Sequence, residues 1–172
     1  EFVHMLRTMN HYQNGPTVIR YPRGCGAGTP VPAKAEILPI GKAEVLQAGQ
    51  DVTLVSLGTM IGIARETASL LEARGYTVTL INARFIKPLD DECIRRHAAR
   101  SRVVCTFEDH SISGGFNSAV LESLETGDVK TPVEAIAWPD QFIEHGSESI
   151  LRKKYGLTAE AEIQKIIPHL NS

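Results

Sequence analysis

The sequence predicts a three-layer α/β fold, in which helices cover both faces of a mainly parallel sheet. Between residues 43 and 138, short apolar runs alternate with segments of helical periodicity. The run Val52-Thr53-Leu54-Val55 is continuous, which is typical of a strand buried on both faces. Strands separated by helices of this length need crossover connections, and these favour parallel pairing.

The first 39 residues are predicted to hold two short elements and a linker. Apolar residues at helical spacing predict a helix over residues 1–12, and the turn-forming segment 14–16 ends it. A β-branched run predicts a short strand over residues 17–20. The Gly- and Pro-rich stretch 24–32 favours an extended linker. Because an uncapped helix opens the chain without an initiator methionine, we expect the chain to be a piece of a longer polypeptide.

The remaining residues are predicted to form five strands and five helices. Apolar and β-branched runs predict strands at residues 43–47, 51–57, 77–82, 102–107 and 132–138. Turn-formers and first-turn prolines mark the predicted helices, which cover residues 58–75, 88–99, 114–124, 147–155 and 158–167.

Composition narrows the classes of function. The 172 residues suffice for one domain and a short extra segment, and 42% hydrophobic with 22% charged residues is typical of a folded chain. A net charge of -2 gives no basic field for nucleic acid or an anionic membrane, and no apolar run approaches the roughly 20 residues that span a bilayer. Cys25, Cys93 and Cys105 are too widely spaced for a disulfide framework or a metal motif, so we expect a reducing, cytoplasmic location.

Three clusters of polar or glycine residues are candidate sites. Gly114-Gly115 stands between a predicted strand and helix, where it favours tight helix–sheet packing over anion binding. Glu108-Asp109-His110 follows the end of a predicted strand, but no nucleophile or metal spacing accompanies it, so an interface contact is favoured over catalysis. Glu144-His145-Gly146 is likewise given no catalytic role, because a histidine beside a predicted helix N-terminus can be a simple turn residue. The roles of His110 and His145 stay open.

The segment Arg20-Tyr21-Pro22-Arg23-Gly24 is the strongest candidate for a binding site. It brings two guanidinium groups and a phenol close to a proline, and the planar guanidinium suits bidentate binding of phosphate. A lone arginine would more often pair with a carboxylate across an interface, so the segment alone leaves both roles open.

Seven segments in order resemble the C-terminal third of the 1-deoxy-D-xylulose-5-phosphate synthase family of thiamine-diphosphate enzymes. They are Arg20–Gly24, Leu38–Lys42, Leu57–Met60, Asn82–Asp90, Thr106–His110, Gly114–Val120 and Pro139–Gly146. The Gly-Lys, Gly-Thr and Pro-Leu-Asp elements are also similar to those of transketolases and of the beta subunits of 2-oxo-acid dehydrogenases.

The resemblance implies a parent protein of three domains. Residues 1–24 would end its second, pyrimidine-binding domain, residues 25–39 would be a linker, and residues 40–172 would form a transketolase C-terminal domain. The Gly-Asp-Gly motif of the first domain and the activating glutamate of the second are not in this sequence. The resemblance therefore implies that this chain holds no catalytic, cofactor-binding or metal-binding residue, and that alone it neither binds thiamine diphosphate and Mg²⁺ nor catalyses the reaction.

The resemblance also implies a role for Arg23, which matches the arginine that binds the phosphate of D-glyceraldehyde 3-phosphate, with Arg20 and Tyr21 as supporting residues. The parent would be a homodimer, in the cytoplasm or in the plastid stroma of a plant. It would condense pyruvate with that aldehyde, release CO₂ and supply isoprenoid, thiamine and pyridoxal synthesis. Two alternatives stay open: a non-catalytic scaffold module, and the C-terminal part of a dehydrogenase beta subunit whose partner is a lipoyl-bearing acyltransferase.

Overall fold

The protein is described by a computed structural model, in which residues 1–22, 28 and 30–171 are placed. Its five strands are β1 Glu44–Gln47, β2 Val52–Ser56, β3 Val78–Asn82, β4 Val103–Ser111 and β5 Val133–Trp138. They form one sheet in the order β1-β3-β2-β4-β5. β2 runs parallel to β3 and to β4, β4 runs parallel to β5, and only the pairing of β1 with β3 is antiparallel. The predicted mainly parallel sheet is confirmed.

Helices cover both faces of this sheet. The helices are α1 Phe2–His11, α2 Ile61–Glu72, α3 Asp91–Ala98, α4 Phe116–Thr126, α5 Glu148–Lys154 and α6 Ala159–Leu170. One core cluster joins α2 and α6 to side chains such as Leu54 and Leu80, and a second joins α3 and α4 to Val55 and Ile81. Successive residues of a strand point to opposite faces, so each of these strands serves both cores. The three-layer α/β fold is confirmed.

Strand β2 is the centre of the sheet, and all five of its residues are fully buried. Its two polar side chains lie inside the core, where an unpaired hydroxyl would be costly. The hydroxyl of Thr53 bonds that of Ser101 at 2.6 Å between the oxygens, whereas among the described residues Oγ of Ser56 has no hydrogen-bond partner. The continuous apolar run in the sequence corresponds to this central strand, as expected for a strand buried on both faces.

The start of α3 differs from the prediction by three residues. The predicted helix begins at Pro88, whereas α3 begins at Asp91. Asp90 is the N-cap residue, because its carboxylate accepts the N–H of Cys93 at 3.3 Å, and the same carboxylate accepts the N–H of Ala43 at 3.0 Å. The two residues that follow the cap, Asp91 and Glu92, are acidic and favour the helix N-terminus electrostatically.

The predicted strand over residues 17–20 is wrong. The structure has no regular element there, and the side chain of Val18 is 95% exposed. β-Branched residues favour a strand only where a neighbouring strand can pair with them, and none of the described strands pairs with this segment. The segment is irregular chain instead.

Helix α1, which was predicted, lies against the end of the predicted linker. The hydroxyl of Thr8 accepts the N–H of Leu38 at 2.8 Å, and Nδ1 of His4 accepts the N–H of Glu36 at the same distance. These bonds tie the first helix to the residues that lead into the sheet. The domain boundaries at residues 24 and 39 stay predictions. Within the described ranges, no helix is both long enough and apolar enough to span a bilayer.

Candidate site at the carboxyl edge of the sheet

The parallel strands end at one edge of the sheet, and the N-terminal segment reaches over it. In parallel α/β sheets this carboxyl edge is where ligands bind. A guanidinium nitrogen of Arg20, Nη2, donates to the carbonyl oxygen of Asp109 at 2.7 Å. Asp109 stands near the end of β4, so Arg20 and the sheet meet at this edge.

Four side chains from different elements converge beside Arg20, and we name them the Asp109 cluster: Thr59, Asp109, Trp138 and Arg152. The indole Nε1 of Trp138 donates to Oδ1 of Asp109 at 2.7 Å, and the hydroxyl of Thr59 donates to Oδ2 at 3.4 Å. Nη2 of Arg152 lies 3.6 Å from Oδ1. The Asp109 carboxylate is therefore held from the end of β5, from helix α5 and from the turn after β2.

Arg152 is the most buried charge of the cluster, with a side chain that is 12% exposed. It also pairs with Glu148 at 2.7 Å, one turn earlier in α5, and donates through Nη1 to the sulfur of Met60 at 2.9 Å. Two carboxylates thus face one buried guanidinium, which offsets the cost of its burial. The arrangement fixes α5 against the carboxyl edge.

A second arginine stands at the end of β3. Arg84 has a left-handed backbone, with φ of 58°, which is uncommon for a residue with a side chain. Its guanidinium pairs with Glu1 and with Glu44, each at 2.7 Å, and Asn82 donates to the Glu1 carboxylate at 2.9 Å. The N-cap residue of α1, Glu1, therefore joins this helix to the end of β3 by an ion pair.

Glu108 closes the N-terminus of α4 and is 2% exposed. Its carboxylate accepts the N–H of Phe116 at 2.7 Å and that of Asn117 at 2.9 Å. A side chain at Gly115 would collide with this carboxylate, so the glycine permits the close approach. The prediction of tight packing is confirmed at Gly115, whereas a side chain at Gly114 would meet none of the described residues within 4 Å, and Gly114 instead permits a positive φ of 71°. The expected interface role of Glu108 is wrong because both of its carboxylate oxygens bind α4.

Comparison with known proteins identifies the family. Residues 41–161 match the family described as "Transketolase, C-terminal domain". The chain belongs to this family. The predicted resemblance and the fold class are both confirmed by the match and by the five-stranded sheet.

Curated relatives of this transketolase C-terminal domain are 1-deoxy-D-xylulose-5-phosphate synthases, and the chain is homologous to their C-terminal part. It is 48% identical over 159 residues to the synthase of Heliobacterium modesticaldum, which covers 92% of this chain and 24% of the relative. It is 45% identical over 175 residues to that of Methylacidiphilum infernorum, covering 100% of this chain and 28% of the relative. The chain spans about a quarter of the length of these relatives.

A solved structure has the same architecture. It is described as a split gene transketolase, inactive beta4 tetramer. The TM-score is 0.72 and the sequence identity is 36%, over 78% of this chain and 44% of that chain.

The predicted site residues of the domain are only partly placed. Arg23 lies outside the described residues, so its role stays a prediction. Arg20 contacts Asp109, and the ring of Tyr21 packs on Phe2 with 5.0 Å between the ring centroids. From the sequence, Arg20 and Asp109 belong to two separate candidate sites, whereas in the structure they are joined by a hydrogen bond.

The partners of Asp109 had no signal of their own in the sequence. Trp138 and Arg152 lie 29 and 43 positions after it, in segments predicted as a strand and a helix. The one usable signal was topological, because residues that follow different parallel strands meet at the same edge.

The two histidines that were left open lie at the surface. Nδ1 of His110 lies 3.3 Å from the carbonyl oxygen of Ser111, and the side chains of His110 and His145 are exposed. The contact of His110 with its neighbour does not indicate acid–base chemistry.

The acidic groups at the carboxyl edge do not fit a metal centre. Glu1, Glu44 and Asp109 bind arginine or tryptophan donors. Across residues 1–22 and 30–171, no group of three or more His, Cys, Asp or Glu side chains could hold a metal ion. The expectation that the chain alone binds neither thiamine diphosphate nor Mg²⁺ stays a prediction.

A further ionic cluster follows β5. Hydrogen bonds from Lys154 and then Tyr155 lower the pKa of Glu144 to about 2. The same contacts raise the pKa of Lys154 and that of Tyr155. This cluster ties the loop after β5 to the end of α5.

Proposed function

We propose that this chain is the C-terminal part of a 1-deoxy-D-xylulose-5-phosphate synthase, which condenses pyruvate with D-glyceraldehyde 3-phosphate and releases CO₂. The observation that carries the proposal is the similarity of nearly the whole chain to synthases, at 45–48% identity. The product would enter isoprenoid, thiamine and pyridoxal synthesis. The parent would act as a homodimer in the cytoplasm.

The proposed contribution of this chain is to bind and place the phosphorylated substrate. Arg23 would bind the phosphate of the aldehyde through its planar guanidinium, which can make two parallel hydrogen bonds to phosphate oxygens. Thiamine diphosphate would supply the decarboxylation and carbon–carbon bond chemistry from the other domains. The role of this chain is therefore positioning, through binding energy remote from the reacting carbonyl.

The isolated chain is proposed to be inactive. It carries neither of the two cofactor motifs that the family places in the preceding domains. The related split gene transketolase is described as an inactive beta4 tetramer, which supports this proposal by analogy.

The function is tested by assaying the full-length polypeptide for 1-deoxy-D-xylulose 5-phosphate, with pyruvate, D-glyceraldehyde 3-phosphate, thiamine diphosphate and Mg²⁺. We expect the phosphorylated ketose and one equivalent of CO₂. Transfer of a ketol group between sugar phosphates, or acyl transfer to a lipoyl group, would contradict the proposal and favour a transketolase or a dehydrogenase.

Arg23→Ala in the full-length protein tests the residue. A hydrogen bond to a charged group is worth about 1.5–3 kcal/mol, so KM for the phosphorylated aldehyde should rise roughly 10- to 100-fold. KM for pyruvate should change little, and Arg23→Lys should recover part of the loss because it keeps the charge without the fork.

A matched control for this substitution is Arg74→Ala, at the end of α2, where the arginine donates to the carbonyl of Leu70. It should leave both KM values unchanged. An equal loss for pyruvate and for the aldehyde in Arg23→Ala would make Arg23 a structural residue.

A further inference from the structure

The bond between Arg20 and Asp109 is the link between the irregular N-terminal segment and the sheet. Residues 13–22 have no regular structure, and among the described residues this is the one hydrogen bond that joins them to any strand. It spans 89 positions of sequence. This hydrogen bond therefore links the segment directly to the carboxyl edge of the sheet.

The acceptor of this bond is held rigidly. The Asp109 side chain takes hydrogen bonds from Trp138 and Thr59, and Arg152 lies beside it. Arg152 is nearly buried and bound to Glu148, so it cannot turn away without leaving a charge unpaired. A backbone carbonyl that is clamped in this way is a fixed point for Arg20.

The chain that follows Arg20 is stiff. Pro22 has its φ angle locked by the ring, and the residue before a proline is restricted to extended conformations. That residue is Tyr21, whose ring also packs on Phe2 of α1. Fixing Arg20 therefore restricts the described segment 17–22 from two sides, through the sheet and through α1.

We propose that Arg20 is a positioning residue, which fixes the segment 17–22 on the carboxyl edge of the sheet through Asp109. The inference rests on the proposed function because the expected effect of Arg20 is on binding of the substrate phosphate. Arg20 acts on this binding indirectly and does not contact the phosphate itself. Through the Asp109 cluster, α5 and β5 thereby help to hold the segment 17–22 in place.

Kinetics of the full-length enzyme test the indirect role. Arg20→Met removes the donor and keeps the length of the side chain. We expect KM for D-glyceraldehyde 3-phosphate to rise roughly five- to tenfold, as for the loss of one hydrogen bond. KM for pyruvate should stay within about twofold, and Arg20→Lys should recover part of the loss because lysine keeps a cationic donor.

Two comparisons separate positioning from direct binding. In a double-mutant cycle, Arg20→Met should add nothing to Arg23→Ala, because the first acts only through the second. Trp138→Phe removes the indole donor from Asp109, and it should raise the same KM in the same direction. A full additional loss in the double mutant would overturn the proposal, because Arg20 would then contact the phosphate itself.

The matched control is Arg102→Gln. Arg102 also donates to a backbone carbonyl, that of Leu170 at 2.8 Å, but it precedes β4 at the opposite edge of the sheet. This variant should leave both KM values unchanged. If it raised KM for the aldehyde as much as Arg20→Met does, the effect would be general destabilisation and the proposal would fail.

A second measurement needs no activity. A nitroxide label on Val18→Cys, at a 95% exposed side chain, reports the mobility of the segment by electron paramagnetic resonance. The label is placed in a background without other reactive thiols. We expect Arg20→Met, but not Arg102→Gln, to increase the label's mobility. An unchanged spectrum would overturn the positioning role, whereas absence of synthase activity in the wild type would reject only the proposed function.

Discussion

The cap that Glu108 provides for α4 makes a quantitative prediction for Glu108→Gln. Glutamine retains one carbonyl oxygen, which can still accept one of the two N–H groups, but its NH₂ group faces the other N–H. The variant therefore loses one charge-assisted hydrogen bond of about 1.5–3 kcal/mol and weakens the second to a neutral bond. Loss of the charge at the helix N-terminus adds up to about 1 kcal/mol. The free energy of unfolding should fall by about 2–4 kcal/mol.

Urea denaturation at pH 7, followed by circular dichroism, measures this loss. The control is Glu122→Gln, at an exposed side chain on the same helix, which should change stability by less than about 0.5 kcal/mol. For a chain of this length, the melting temperature of Glu108→Gln should fall by about 5–12 °C. Equal stability of the two variants would refute the assignment of Glu108 as the cap of α4.

Three further predictions follow from charges and missing motifs. Glu162 is fully buried beside Lys165, and burial raises the pKa of its carboxyl. Its contribution to stability is therefore fully present below the pKa it has in the unfolded chain, and it is lost as pH rises through its pKa in the folded chain. Glu162→Gln should therefore gain stability over the wild type as pH rises from about 4 to 7 in urea titrations, and a pH-independent difference would contradict this. The pKa of Glu144 should be about 2 by nuclear magnetic resonance titration, so the stability that its partners contribute is lost as pH falls through that value. Lys154→Met should return this pKa towards 4.5, while the control Lys153→Met should leave it unchanged. Calorimetric titration of the 172-residue chain with thiamine diphosphate and Mg²⁺ should show no binding, and micromolar affinity would place a cofactor site in this chain.

The core of the fold could be predicted because its sequence signals are independent of distant partners. The apolar run of β2 indicates burial on both faces whatever its neighbours are, and the structure places it at the centre of the sheet. The run at residues 17–20 has similar local propensity and forms no strand, since a strand needs a partner that the sequence alone does not reveal. The start of α3 was missed by three residues because Asp90 caps it, and an N-cap can be recognised only with the bond it accepts.

The candidate site was predicted in pieces. Arg20 and Asp109 both stood in segments singled out from the sequence, but each was interpreted without the other because they are 89 positions apart. Glu108 and Asp109 are adjacent, yet one binds α4 and the other binds Trp138, since successive residues of a strand face opposite sides of the sheet. Assigning that alternation needs the register at the end of β4, where the pairing with β5 is irregular.

The strand order also governs how this chain can fold during synthesis. Each strand from β3 onwards pairs beside one that has already been made, so the sheet can grow as the chain emerges. The face covered by α2 stays open until α6 arrives, because Ile163, Ile166 and Leu170 complete that core at the very end of the sequence. A nascent chain stopped before α6 would expose an apolar surface, and such surfaces recruit chaperones or aggregate. The core on this face can therefore be completed only after α6 has been released.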